Sequence, residues 1–179
     1  MIRVSRMKRD AETFRNILRK IRENEKHGMR LFYKEYGKMI YSVAYMSCHS
    51  KEMSDETVND VLLKVWKMNE TVAEMDNPVG WLYTVTANTA RDKLRTETPV
   101  SSEKIQATEE PYSRTDEGEA FFHMIGGLNE QEQQIMIYRF VSDYTFEDIA
   151  SLTGRPLSTV TSAYYRALQK IKDAANHKA

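Results

Sequence analysis

The chain has 179 residues, with 26 Lys and Arg set against 26 Asp and Glu, so its formal net charge is zero. That length accommodates two small helical lobes, each burying its own core. Overall neutrality excludes a uniformly basic surface of the kind that binds phosphate along its whole length. One cysteine, Cys48, excludes an internal disulfide framework, and the four histidines (His27, His49, His123, His177) lack metal-ligand spacing, so no metal or cofactor is expected. No apolar run approaches the roughly 20 residues that span a bilayer, and the N-terminus lacks the order of a secretion signal. The expectation is a cytoplasmic protein with no membrane insertion.

The charge is segregated along the chain. Residues 1–27 hold nine Lys or Arg against four acids, whereas residues 96–120 hold seven acids against two bases. Four prolines and seven glycines leave few helix breakers, and apolar residues recur at helical spacing almost throughout, so the fold class predicted is all-α.

Phe14, Ile17, Leu18 and Ile21 form a first short stripe. Phe32, Tyr36, Met39, Ile40, Val43 and Ser47 continue the period on a longer second helix. A third is expected to begin near Ser54, a good N-cap residue, with Asp55 and Glu56 in its first turn where the helix dipole favours negative charge. Val58, Val61, Leu62 and Val65 make its buried face, which turns Asp55, Glu56, Asn59, Asp60, Lys64 and Lys67 outward. Periodicity alone favours simple solvation of that polar face over docking.

Residues 67–77 lack a clean period and read as a loop. Asn77 then caps a fourth helix with Pro78 at its first position, where the fixed φ helps and the missing N–H costs nothing. Trp81, Leu82 and Val85 head its apolar face, and Arg91, Lys93 and Arg95 make its far end basic. Residues 96–118 are polar, acidic and punctuated by proline, with too little apolar surface to offset ordering entropy, and are expected to be a flexible linker.

Asn129 and Glu132 then form a capping box ahead of Ile135, Met136 and Tyr138, and with Phe121, Phe122, Met124, Ile125 and Leu128 belong to a second lobe. Within it, Tyr144 to Lys172 carries the most specific pattern. Thr145 and Asp148 pair as a cap, and Ile149, Ala150 and Leu152 follow on a short helix. Gly154 ends it where a tight turn needs positive φ. Ser158 is expected to cap the next helix, whose apolar face runs Val160, Tyr164, Ala167, Leu168 and Ile171. A small residue at the crossing, a glycine four residues on and a branched residue beyond it describe a helix-turn-helix. Its second helix would present Thr159, Thr161, Ser162, Tyr165 and Arg166 to base edges, with Lys170 and Lys172 nearer phosphate. No nucleophile, acid and base pair or phosphate-cradling loop appears, so the chain does not read as an enzyme.

In this order, the parts resemble the extracytoplasmic-function (ECF) group of bacterial RNA polymerase sigma factors. Phe32 to Ser47 is similar to that family's first core helix, and SDETVNDVLLKVW (Ser54 to Trp66) resembles its polymerase-clamp helix. PVGWLYTVTANTARDKLR (Pro78 to Arg95) resembles the segment that reads and opens the minus-ten element. Leu128 to Ile171 is similar to the region that reads the minus-thirty-five element. The resemblance implies two helical bundles joined by a flexible linker: a region 2-like domain over 11–95, the linker over 96–118, and a region 4-like domain over 119–179.

Core RNA polymerase, promoter DNA and an anti-sigma protein are the partners it implies. It reverses the solvated reading of the third helix, since Asp55, Glu56, Asn59, Asp60 and Lys64 fall on the clamp-docking surface. It places Asn77, Asn88, Arg91 and Arg95 near minus-ten DNA, and Thr159, Thr161, Ser162, Tyr165, Arg166 and Lys170 at the minus-thirty-five element. The chain departs from the family where Asn59 replaces a usual glutamine, Ser54 a usual alanine, and Thr161 and Ala163 usual basic residues. Two other readings of the residues stay open: a helix-turn-helix regulator acting without polymerase, and a sigma-like interaction module that has lost DNA binding.

Overall fold

The computed structural model describes residues 6–96 and 116–177, which are helical with no strand among them. Helix α1 (Arg6–Glu23) buries Phe14, Ile17, Leu18 and Ile21, each at most 8% exposed. It starts at Arg6. Helix α2 (Glu25–Cys48) follows after a single residue, Asn24, whose side chain accepts from the His27 amide at 3.1 Å. So short a turn brings the two helices close, and the close approach is at Gly28: a Cβ there would lie 2.3 Å from the Ile21 backbone nitrogen. Phe14, Phe32 and Tyr36 then pack with ring centroids 4.9–5.2 Å apart.

Helix α3 (Lys51–Lys67) starts one turn earlier than Ser54 suggests. Ser50 is the cap, accepting from the Met53 amide at 3.3 Å, while Ser54 is fully buried and donates to the Ser50 carbonyl. Two serines four residues apart satisfy the same local rule, and only packing decides between them. The segment read as a loop contains a short helix, α4 (Asn69–Ala73), too brief to show a period, which buries Val72. Arg15 of α1 holds the chain beyond it, donating to the carbonyls of Ala73 and Met75 at 3.0 Å each. Helix α5 (Pro78–Thr96) opens as expected, with the Asn77 side chain accepting from the Gly80 amide at 2.9 Å.

The expected linker gives up both its ends. Thr96 belongs to α5, and residues 116–118 open α6 (Asp116–Ile125); residues 97–115 lie outside the described residues. Helix α7 (Glu130–Met136) starts at the predicted capping box of Asn129 and Glu132 and runs into a π-helical turn, Ile137–Val141. Helix α8 (Phe146–Thr153) and helix α9 (Leu157–Asn176) complete the second lobe.

Buried residues of the two lobes belong to one contiguous hydrophobic cluster. Helix α2 packs on the π-helical turn, and α1 and α5 on α8. Tyr138 sits 5.2 Å from the ring of Tyr83, and Phe122 lies 4.7 Å from Tyr45. Each of these ring contacts covers part of one lobe's aromatic surface with the other. No helix among the described residues is long and apolar enough to cross a membrane.

Candidate nucleic-acid interface

The helix-turn-helix is built from local signals. Thr145 accepts from the Asp148 amide at 3.1 Å, and the Asp148 carboxylate accepts from the Thr145 amide and hydroxyl, closing a reciprocal capping box at the start of α8. Gly154 ends α8 at φ 65°, where a β-carbon would cost about 1–2 kcal/mol. Helix α9 starts at Leu157 after Pro156. Ser158 therefore lies inside the first turn and makes no side-chain cap, contrary to its expected role, because the proline already turns the chain. Val160, Ala163 and Ala167 are fully buried and pin α9 against α7 and α8. Small side chains at 163 and 167 let the helices approach closely.

The outer surface of α9 leaves Ser162, Tyr165, Arg166 and Lys170 exposed and Thr159 and Thr161 half-buried. Lys170 is not a free cation. Its ammonium donates to both carboxylate oxygens of Glu132 at 2.9 Å, and Glu132 is itself buried at the head of α7, where it also accepts from the Asn129 amide at 3.1 Å. Burial pushes that carboxyl's pKa up, but the Lys170 and Asn129 hydrogen bonds and the nearby Arg166 charge hold it below the ordinary glutamate value. Glu132 is thus the residue that fixes α9 on α7. In the sequence it shows only as a cap.

Of the residues expected at the minus-ten element, Asn77 at the head of α5 and Asn88 and Arg91 along it face the second lobe. The Asn77 amide donates to the Leu152 carbonyl at the end of α8, at 3.1 Å. Arg91 reaches Glu130 at 2.8 Å. Asn88 and Arg91 line a cleft of about 1000 Å³ between the lobes, with Gln131, Gln134 and Arg155 on its far wall. Arg95 is exposed, 3.7 Å from Asp92.

On α3, Glu56 and Asp60 converge on Lys93 of α5, at 3.2 and 2.8 Å. Burial lowers the Lys93 pKa, but hydrogen bonds to the two carboxylates overcome it and leave it raised. Lys64 donates to the Thr89 hydroxyl at 2.8 Å, and Asp55 and Asn59 are half-buried on the same helix. The polar face of α3 is therefore tied to α5 through Lys93, a residue that sequence spacing offers only as part of a basic helix end. Among the described residues no group of histidines, cysteines and carboxylates could hold a metal ion.

The family model for Sigma-70 region 2 matches residues 32–99, and that for Sigma-70 region 4 matches residues 118–171. The chain belongs to the sigma-70 family. It is an ECF-type sigma factor, which binds core RNA polymerase and directs promoter-specific transcription initiation. Among curated relatives it is 28% identical over 140 residues to the RNA polymerase sigma factor SigV of Bacillus subtilis (strain 168), covering 74% of this chain and 82% of that protein. It is 24% identical over 151 residues to the RNA polymerase sigma factor YlaC of the same organism, covering 78% and 87%. In fold it is similar to CnrH in complex with the cytosolic domain of CnrY, with a TM-score of 0.63, 14% identity and coverage of 92% and 98%. It is also similar to the sigma factor RpoE in complex with the anti-sigma factor NepR from Bartonella quintana, with a TM-score of 0.54, 19% identity and coverage of 81% and 96%. A region 2 match ahead of the helix-turn-helix is not expected of a regulator that acts without polymerase.

Proposed function

We propose a division of labour within this sigma factor. Residues 11–95 form the lobe that docks on the polymerase clamp through Asp55, Glu56, Asn59, Asp60 and Lys64. The same lobe reads the minus-ten element through Asn77, Asn88, Arg91 and Arg95. Residues 119–179 read the minus-thirty-five element through Thr159, Thr161, Ser162, Tyr165, Arg166 and Lys170, the last held in place by Glu132. The polymerase supplies the chemistry and this chain supplies the address. The observation that carries this reading is the juxtaposition of the α3 acids, the α5 polar and basic residues and the exposed α9 face on one chain in family order.

The lobes as packed cannot touch both elements at once. The two elements stand 25 base pairs apart by name, about 85 Å at 3.4 Å per pair, whereas a compact chain of this length has a radius of gyration of only about 16 Å. Reading both requires the lobes to part, and binding to core polymerase provides the energy by trading the interlobe contacts for larger ones. An anti-sigma protein that favours the closed lobes is the natural opposing partner, consistent with a structural neighbour that is itself an anti-sigma complex.

In-vitro transcription over a promoter library, with and without core polymerase, tests the reading. The expected result is specific initiation only when chain and core are both present, and little specific shift of duplex DNA by the chain alone. Tight specific binding of a symmetric site by the chain without core would overturn it.

A further inference from the structure

The exposed surface of α9 divides into two flanks. At 100° per residue, Thr159, Arg166 and Lys170 lie on one side, toward Glu132 of α7, and this flank is polar and basic. Leu157, Thr161 and Tyr165 recur every fourth residue on the other. Leu157 is 42% exposed and Tyr165 63%, both large apolar groups in water. The Thr161 hydroxyl donates back to the carbonyls of Leu157 and Ser158 at 3.0 and 3.1 Å, so its proton is spent within the helix. Tyr165 is braced: its ring meets Tyr164 edge-on at 5.4 Å, and Tyr164 packs on Phe146 of α8 at 4.9 Å.

We propose that the Leu157, Thr161 and Tyr165 flank reads thymine methyl groups in the minus-thirty-five element, with Tyr165 as its principal specificity residue. The inference rests on α9 entering the major groove. There, thymine alone among the four bases presents an apolar group, its C5 methyl. On this flank the Leu157 side chain has no polar atom, the Thr161 proton is already used and the one donor left is the hydroxyl at the far end of the Tyr165 ring, so apolar contact is the main thing it offers a base edge and guanine's two acceptors are poorly matched there. Burying a methyl against Leu157 or Tyr165 recovers the apolar contact both now lack. Arg166, on the opposite flank, is left to fix register on guanine or phosphate.

The test uses the reconstituted holoenzyme and a promoter chosen from the library above. Each thymine of the upstream element is replaced in turn by deoxyuracil, which removes only the C5 methyl. Loss of one contacted methyl should lower initiation about fourfold, the effect of burying one such group. Tyr165→Phe should keep the preference for thymine over uracil, and Tyr165→Ala should abolish it at the position Tyr165 covers. Equal initiation from thymine and uracil templates at every position overturns the proposal while leaving the sigma-factor reading intact. So does a Tyr165→Ala defect that is the same on both templates, which would assign the flank to protein docking. Absence of any promoter-specific initiation with core would bring down both.

Discussion

At the scale of single residues, two positions carry more than their sequence neighbours suggest. Gly28 sits where α1 and α2 cross, and a methyl group there would meet the Ile21 backbone, which cannot move without shifting a helix. Gly28→Ala should therefore destabilise the protein by about 3 kcal/mol, the upper range for overpacking, read as a lowered midpoint in urea unfolding. Glu132 is the second. Its folded pKa is depressed below the ordinary value of 4.5, so its charged form contributes stability that is complete above that value and is lost as pH falls through the lower folded value. Glu132→Gln should be less stable than the parent at neutral pH, and the two unfolding curves should converge as the pH falls below 4.5 and through the depressed folded value. A gap that is constant from pH 7 to pH 3 would assign the effect to packing instead.

At the scale of elements, α9 is positioned by its buried Val160, Ala163 and Ala167 together with one charged pair, and its proposed reading of DNA runs through other residues. Lys170 is bound to a buried carboxylate, whereas Arg166 is exposed on the surface of α9 proposed to face the groove. Arg166→Ala should cost about 1–3 kcal/mol in promoter discrimination, about 5- to 150-fold in specific initiation, with little change in the thermal midpoint. Lys170→Ala should do the reverse. It removes the ammonium bound to Glu132 and should lower stability by about 1–3 kcal/mol, and as a residue expected near phosphate its loss should weaken initiation to a similar extent on all promoter sequences and leave the order of preference as it was. Measuring both variants by thermal unfolding and by transcription separates the two roles. Helix α3 follows the same pattern, its Glu56 and Asp60 pre-set by Lys93 before any partner arrives.

At the scale of the molecule, the interlobe seam is what the proposed parting of the lobes would have to undo. It combines apolar contact, as between Tyr83 and Tyr138, with surface ion pairs such as Arg91 to Glu130 and Lys51 to Glu119. The exposed pairs contribute little, so the apolar contacts hold the seam. With dyes placed through Arg30→Cys on α2 and Glu147→Cys on α8, both exposed positions, energy transfer should be efficient in the free chain. Transfer should be largely lost when core polymerase and promoter are added. Unchanged transfer in the initiation complex would show that the lobes stay together and that only one element is read at a time.

Much of this follows from short-range rules. The capping boxes at Asn129 and Thr145, the left-handed Gly154 and the buried stripe of α1 each depend on residues within a turn of one another, and all appear where their spacing puts them. Ser50 in place of Ser54, the brief α4 and the uncapped start of α9 could not be read that way, because neighbouring choices differ by less than packing contributes. The partners of Lys93, Lys170 and Arg15 lie from 33 to 60 residues away, and no periodicity carries that information. The closed seam belongs to the same class. Periodicity marks Tyr138 as apolar-facing but passes over Tyr83, and only the assembled chain decides that they cover each other.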